Sequence, residues 1–251
     1  MTTSTHNTNS STTNSSTIAL ITGANKGLGF ETARRLGALG WTIWLGARDP
    51  ELGQTAADKL ATDGSDVRFV RLDVTDDASV AGAVETIQQQ SGRIDVLVNN
   101  AGISGTLTDP VDTDPTEFLG VFGVNLLGPV RVTKAFLPLL RGSSQPRIVM
   151  VSSGLGSFGI TTDPERFEST IKGLVYPASK AALNMVTTMY AKSLPGFQVN
   201  AVDPGYTATD LNGHSGPQTV EQGTDAIVRA ATLAADGATG TFSEAAGPIP
   251  W

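Results

Sequence analysis

From Thr17 onward the chain alternates between short apolar runs and longer stretches with helical spacing. The runs are TIALIT (17–22), TIWLGA (42–47), VRFVR (67–71), DVLVN (95–99), RIVMV (147–151) and FQVNAV (197–202), with a last short one at GTF (240–242). Between them apolar positions recur three and four apart and predict helices over 27–39, 51–62, 77–90, 116–140, 177–194 and 219–235. Runs that are apolar throughout, instead of alternating, suit a sheet covered on both faces, and the intervening helices suit parallel crossovers. The expected fold class is α/β: a doubly wound, mostly parallel sheet of about seven strands with helices on both faces, in a single domain. The closing GPIPW is expected to pack against its body.

Composition narrows the setting. With 251 residues and 39% apolar content the chain can bury one sizeable core, assigned to residues 17–251. Residues 1–16 are almost wholly Ser, Thr and Asn plus His6, a composition that cannot bury enough apolar surface to offset its ordering entropy, so a disordered tail is expected. No apolar run nears the roughly 20 residues that span a bilayer, and the start lacks the basic-then-apolar order of a secretory signal. A cytoplasmic protein without membrane partners is expected. Having no cysteine, the chain cannot form disulfides, thiolate nucleophiles or Cys-based metal sites. Only two histidines are present, and no metal site is expected. A net charge of -7 with scattered Lys and Arg offers no stripe for nucleic acid.

Directly after the first strand stands TGANKGLG (22–29). Gly23 allows a tight turn, Gly27 lets backbone approach a pyrophosphate, and Gly29 lets the next helix pack closely, the pattern of a dinucleotide loop in a Rossmann-type fold. Its cofactor-binding candidates are Gly23, Asn25, Lys26, Gly27, Leu28 and Gly29. The second strand ends in GARD: Ala47 stands where an acid would hold a free ribose 2′-hydroxyl, and Arg48 follows. Arg48 can fork onto a 2′-phosphate and Lys26 can reach the same place, so NADP(H) is expected as the cofactor. Asp49 adjoins Arg48 and complicates that count. In LDVTD, Asp73 can accept from an adenine amino group while Val74 offers backbone, and NNAG brings Asn100, Ala101 and Gly102 to the same groove.

At the other end of the crevice the sequence offers proton chemistry. In YPASK (176–180) a phenol and an ammonium are four positions apart. An ordinary phenol has a pKa of about 10. A cation one helical turn away is expected to stabilise the phenolate and bring that value toward neutrality. Pro177 fits the first turn of a helix and puts Tyr176 at its mouth. Pro129 has no N–H, so the carbonyl of Asn125 is expected to lose its helical partner, Gly128 helping the bend.

The glycine loop, NNAG, Asn125, Ser153, YPASK and DPGYTATD (203–210) occur in the order and spacing of the short-chain dehydrogenase/reductase family, and nearly everything from Ile18 onward resembles it. The form TGANKGLG…ARD…LDVTD with the PIPW ending is similar to NADPH-dependent carbonyl reductases. The resemblance implies Tyr176 as general acid, Lys180 as its tuner and a ligand of the nicotinamide ribose, and Ser153, with Ser152 as the competitor, as polariser of a carbonyl. It implies Asn125 as a water relay to Lys180, Pro204 and Gly205 as a turn at the nicotinamide, and Thr209, with Thr207 as alternative, at its carboxamide. The function it implies is reversible NADPH-dependent reduction of a ketone or aldehyde; an NADP(H)-sensing module without turnover is the rival. Ile103, Leu155, Phe158 and Tyr206 suggest a hydrophobic small-molecule substrate, residues 211–218 read as a lid, and His214 as a solvent-facing loop residue. Ser153 and Tyr176 are 23 positions apart, wider than usual in that family, so residues 158–175 contain an insertion that leaves monomer or homo-oligomer undecided.

Overall fold

The computed structural model describes residues 16–251. The tail predicted over 1–16 lies outside them except for Ser16, whose hydroxyl donates to the Gly40 carbonyl at 2.7 Å.

Strands and helices alternate: β1 (Ile18–Thr22), α1 (Gly27–Ala38), β2 (Thr42–Ala47), α2 (Pro50–Thr62), β3 (Val67–Arg71), α3 (Asp77–Ser91), β4 (Val96–Asn99), α4 (Glu117–Phe122), α5 (Gly128–Leu140), β5 (Arg147–Val151), α6 (Phe158–Thr161), α7 (Val175–Ser193), β6 (Gln198–Val202), α8 (Val220–Gly223), α9 (Asp225–Ala231), β7 (Phe242–Glu244) and β8 (Gly247–Pro248). The sheet has eight strands in the order β3-β2-β1-β4-β5-β6-β7-β8. The first seven run parallel, and only β8 returns antiparallel against β7.

Successive side chains of a strand point to opposite faces, and β1 shows what each face meets. Ile18 and Leu20 join Trp44, Phe136, Ile148 and Leu183 in one core; Ala19 and Ile21 join Leu36, Leu45, Leu60 and Ile227 in another. Each fully buried large side chain contributes about 1.5–3 kcal/mol of transfer free energy. The strand order reverses between β1 and β4, so the crevice at the carboxyl ends of these strands is the place where such sheets accept ligands.

Three departures from the sequence expectation have local causes. The stretch 116–140 is not one α-helix: α4 passes through a π turn (Gly123–Leu127) into α5. The Gly128 N–H bonds the Gly123 carbonyl, five residues back, ahead of Pro129, which has no N–H to give. The stretch 219–235 divides into α8 and α9 and stops at Ala231. Thr224 tightens that joint, its N–H bonding both Val220 and Glu221 carbonyls and its hydroxyl donating to Glu221. The last parallel strand begins at Phe242, two residues beyond the start predicted, and the additional β8 has only two residues, too short to leave a hydropathy pattern. The end of the chain packs as expected: Trp251 stacks on Phe242 at 5.4 Å, and the carbonyls of Pro250 and Trp251 accept from Ser157 and Gly159.

Candidate active site

The loop between β1 and α1 is built by close backbone approach. Gly23 and Gly27 adopt φ of 62° and 55°, conformations that side chains disfavour. A Cβ on Gly29 would fall 2.5 Å from Asn100 Nδ2 and 2.6 Å from the Gly23 carbonyl oxygen. Asn100 is a brace for this loop: its Nδ2 donates to the carbonyls of Thr22 and Gly23 at 2.9 and 3.1 Å, while the Thr22 hydroxyl accepts from the N–H of Asn100 and Ala101. Its amide is thereby committed to the loop, and Ala101 lies against Gly23. Asp49 and Asp76 cap α2 and α3, whereas no side chain caps α1 and its first turn holds no acid. An uncapped helix start behind a glycine turn is a donor set suited to an anion, and a dinucleotide pyrophosphate fits it. Asn25 and Leu28 are half-buried in the same loop, and Leu28 packs onto the α1 side of the core.

Lys26 does not reach toward Arg48. Its ammonium pairs with Asp210 at 2.5 Å, linking the glycine loop to the segment after β6. Both partners are more than half exposed, so the local carboxylate takes Lys26 at little energetic consequence. Arg48 is exposed, and among the described residues it makes no ion pair. Asp49 is occupied: its Oδ1 accepts from the Glu51 and Leu52 N–H groups at 3.0 Å. Asp73 is half-buried and held below the usual carboxylate range, first by hydrogen bonds from Thr75, then by Arg48 and Arg71. Arg71, at the end of β3 opposite Ala47, is a cation that the sequence reading passed over. The Val74 carbonyl accepts from Arg131 at 2.7 Å.

Beyond β5, the two serines part company. The Ser152 hydroxyl is buried and donates to Asn184 Oδ1 at 2.6 Å, away from the crevice. Ser153 begins the Gly154–Gly156 turn, accepts from the Leu155 N–H at 3.2 Å, and faces the Tyr176 phenol, whose pKa its hydroxyl draws downward. That turn sits hard on α7: a Cβ on Gly156 would fall 2.6 Å from the Lys180 carbonyl carbon. Tyr176 lies in the first turn of α7 with Pro177 beside it. Lys180 is 4% exposed, donates to the Val151 carbonyl at 2.8 Å, and has its nitrogen 5.6 Å from the centre of the Tyr176 ring.

The expected lowering of the phenol is overturned. Burial pushes Tyr176 up to about 12, the Ser153 hydrogen bond working against this and Asp203 adding to it. Burial brings Lys180 down to about 8, with Asp203 opposing. Removing the site from water disfavours both charged forms, and four-residue spacing carries no information about that.

Asn125, in the π turn, is 1% exposed. Its Oδ1 accepts from the Ile103 N–H at 2.9 Å, and its Nδ2 donates to the Ile103 carbonyl at 2.9 Å and the Ser179 hydroxyl at 3.0 Å. Ser179 donates in turn to the Tyr176 carbonyl at 2.7 Å. Gly102 lies between these groups, its Cβ direction 3.5 Å from Asn125 Oδ1 and 3.7 Å from Lys180 Nζ.

After β6, Pro204 and Gly205 turn the chain, with the Gly205 N–H on Asp203 Oδ1. Thr207 is buried against Pro204, Gln218 and α8. Thr209 instead comes within 3.8 Å of the Cβ direction of Gly27, beside the glycine loop. His214 pairs with Asp210 at 2.8 Å when protonated. Ile103, Leu107, Phe167, Leu174, Tyr206 and Leu211 are exposed on segments surrounding the crevice, and Phe167 stacks on Tyr206 at 5.6 Å. Leu155 is half-buried in the turn after Ser153, and Phe158 is 75% exposed at the start of α6.

Known proteins resemble this chain in sequence and fold. The sequence pattern described as short chain dehydrogenase matches residues 17–219. The (+)-neomenthol dehydrogenase of Arabidopsis thaliana is 35% identical over 86% of this chain and 91% of its own, and the salutaridine reductase of Papaver somniferum 31% over 89% and 93%. The structure of NADPH-bound carbonyl reductase from chicken fatty liver superposes with a TM-score of 0.82 at 27% identity, covering 94% of this chain and 99% of that one. On these matches, over a shared fold, the chain belongs to the short chain dehydrogenase family and is an oxidoreductase.

Proposed function

We propose that the protein reduces a ketone or aldehyde to an alcohol, reversibly, with NADPH as the hydride donor and Tyr176 as the proton donor. One observation carries this reading: Ser153, Tyr176 and Lys180 converge where β5 ends and α7 begins, the ammonium held on the Val151 carbonyl 5.6 Å from the centre of the phenol ring. A bound nicotinamide supplies or accepts the hydride. The chain's own task is the oxygen that becomes negative as the carbonyl is reduced. Ser153 polarises it by hydrogen bonding, and Tyr176 protonates it.

A phenol pushed up to about 12 is fully protonated at neutral pH, the form an acid must have. It is still far more acidic than an alcohol, which holds its proton about as tightly as water does. Protonation of the product is therefore downhill, while the reverse reaction needs a scarce phenolate.

NADP(H) is supported at the end of β2. Ala47 offers no acid, Asp49 is engaged as a helix cap, and Arg48 and Arg71 leave positive potential beside Asp73. A ribose 2′-phosphate matches that field better than a free hydroxyl. Lys180 would hold the nicotinamide ribose with donors not used on Val151, and Thr209 is the better placed of the two threonines for the carboxamide. Asn125, saturated by Ile103 and Ser179, would set the floor of the site through its side chain and hold the relay water on its main-chain carbonyl. The exposed apolar rim favours a hydrophobic carbonyl compound.

A panel of hydrophobic ketones and aldehydes with NADPH or NADH, followed by nicotinamide absorbance beside Tyr176→Phe, tests the reading. Turnover with NADPH in the parent and not in the variant is expected. Tight NADPH binding without turnover on any carbonyl would overturn it in favour of a sensor.

A further inference from the structure

Lys26 and Asp210 stand on opposite sides of the groove that begins at the glycine loop. On the first side the loop is stiff: Asn100 braces Thr22 and Gly23, and the Ala24 N–H donates to the Gly46 carbonyl of β2 at 3.0 Å. On the second side the turn after Thr209 is held as firmly. The Asn212 amide donates to the Thr207 carbonyl at 2.8 Å, and its Oδ1 accepts from the Thr209 N–H at 3.3 Å. Gly213 and His214 both take φ of 61°, a left-handed conformation that is uncommon where a side chain is present. That turn sends the His214 N–H back to the Thr209 carbonyl at 2.9 Å and its ring to Asp210.

Two contacts join the sides. The Thr209 methyl lies 3.8 Å from the Cβ direction of Gly27. The Lys26 ammonium meets Asp210 Oδ2 at 2.5 Å, and His214 Nε2 is 2.8 Å from Oδ1. Farther along α1 the walls are fastened at their base, Arg35 bonding the Glu221 carbonyl, the Thr224 hydroxyl and Asp225 at 2.7–3.0 Å. Lys26 is the residue that enters α1, whose start has no side-chain cap, and its pair with Asp210 is more than half exposed. The pair therefore closes the outer edge of the groove.

An anion held by the glycine loop and the start of α1 has to pass between these residues. We propose that Asp210 is a positioning residue for the dinucleotide: with Lys26 it forms a clasp across the groove that parts each time the cofactor enters or leaves, and retains it in between. This rests on the reading of the loop as a dinucleotide site given above. The turn sets the carboxylate for this task, since His214 takes the oxygen that Lys26 leaves. A pair this exposed is screened and weak, which suits a gate that opens on every turnover. Where release of the oxidised cofactor limits the rate, the clasp sets the pace. Such a gate acts on NADPH and NADH alike, whereas a ligand of the 2′-phosphate serves NADPH alone.

The test is dissociation of NADH and of NADPH, followed by nicotinamide fluorescence on displacement with excess oxidised cofactor, in the parent, Asp210→Asn, Lys26→Met and the double variant. The variants should fold as the parent does, because both side chains are exposed. Either single change should speed NADH release by roughly two- to fivefold, the range of an exposed ion pair, and the double variant no further than the singles. Asp210→Asn should speed NADPH release by the same factor. Unchanged NADH release in Asp210→Asn overturns the clasp. Additive effects in the double variant overturn it too, because they give the two residues separate roles. So does slower NADPH release in Asp210→Asn, the mark of a carboxylate competing with a phosphate for Lys26. Failure of the parent to bind either dinucleotide sinks the nucleotide reading and the clasp with it; binding with release indifferent to Asp210 sinks the clasp alone.

Discussion

Lys180 follows Tyr176 by one helical turn, yet its ammonium donates to the Val151 carbonyl at 2.8 Å and lies 5.6 Å from the centre of the tyrosine ring. The lysine is thus anchored to the end of β5, and the phenol is not its hydrogen-bond partner. Lys180 is buried and Tyr176 half-buried, and both are shifted from their ordinary values in the direction of the neutral form.

Stability should follow pH accordingly. Lys180 is brought from 10.5 to about 8, so between those values the unfolded chain holds a proton that the folded one has released, and stability rises with pH. Denaturant melts of the wild type from pH 8 to 10 should gain on the order of 2 kcal/mol relative to Lys180→Met. For Tyr176 the sign reverses: raised from 10.0 to about 12, it makes stability fall above pH 10. Tyr176→Phe should flatten that fall, and a fall of equal slope in the variant would contradict the burial of the phenol.

Cofactor choice should depend on Arg48. A charge-assisted hydrogen bond to a 2′-phosphate is worth about 1.5–3 kcal/mol. Arg48→Asp should therefore lower the preference for NADPH over NADH by roughly ten- to a hundredfold in kcat/KM. Melting temperature should stay unchanged, because the side chain is exposed.

The Asn125 carboxamide joins the chain after β4 to α7. Asn125→Ala would leave Ile103 and Ser179 without the partners they have at 2.9–3.0 Å. A loss of about 3 kcal/mol in unfolding free energy is expected. Activity should fall further than stability explains, since Ser179 also holds the Tyr176 backbone.

Gly29→Ala should damage nucleotide binding specifically. Its methyl would meet Asn100 Nδ2 and the Gly23 carbonyl at 2.5 and 2.6 Å, forcing the brace away from the loop. Equilibrium binding of NADPH should weaken by at least tenfold, while far-ultraviolet circular dichroism stays that of the parent. An unchanged Kd would show that the loop can rearrange without cost.

What was readable in the chain followed its periodicity. The strands buried on both faces are short apolar runs, so β1 to β6 and most helices fall within a residue or two of expectation. Thr17–Arg71 illustrates this, with two strand–helix units and β3 in order. The π turn at Asn125 was half legible: Pro129 announces a break, but the five-residue bond from Gly128 to Gly123 cannot be deduced from a missing N–H alone. Charge placement was least legible. Nothing in the sequence brings Asp210, 184 residues later, to the side of Lys26. The sign of the phenol shift was missed for a related reason. Spacing reveals a neighbouring cation, whereas desolvation depends on everything packed around the pair. The separation of Ser152 from Ser153 also needed the fold, which turns one hydroxyl onto Asn184 and the other toward Tyr176.

The two cores lie on opposite faces of the sheet, while the reacting groups gather along its carboxyl rim, in loops and at helix starts. Folding and selectivity are therefore written in largely separate sets of residues. On the proposed reading, changes to the Phe167–Leu174 stretch should alter which molecules are accepted while the layers beneath continue to assemble as before. Such a division makes the scaffold forgiving of redesign at the rim: exchange of that stretch should give folded proteins with new preferences more often than inactive aggregates.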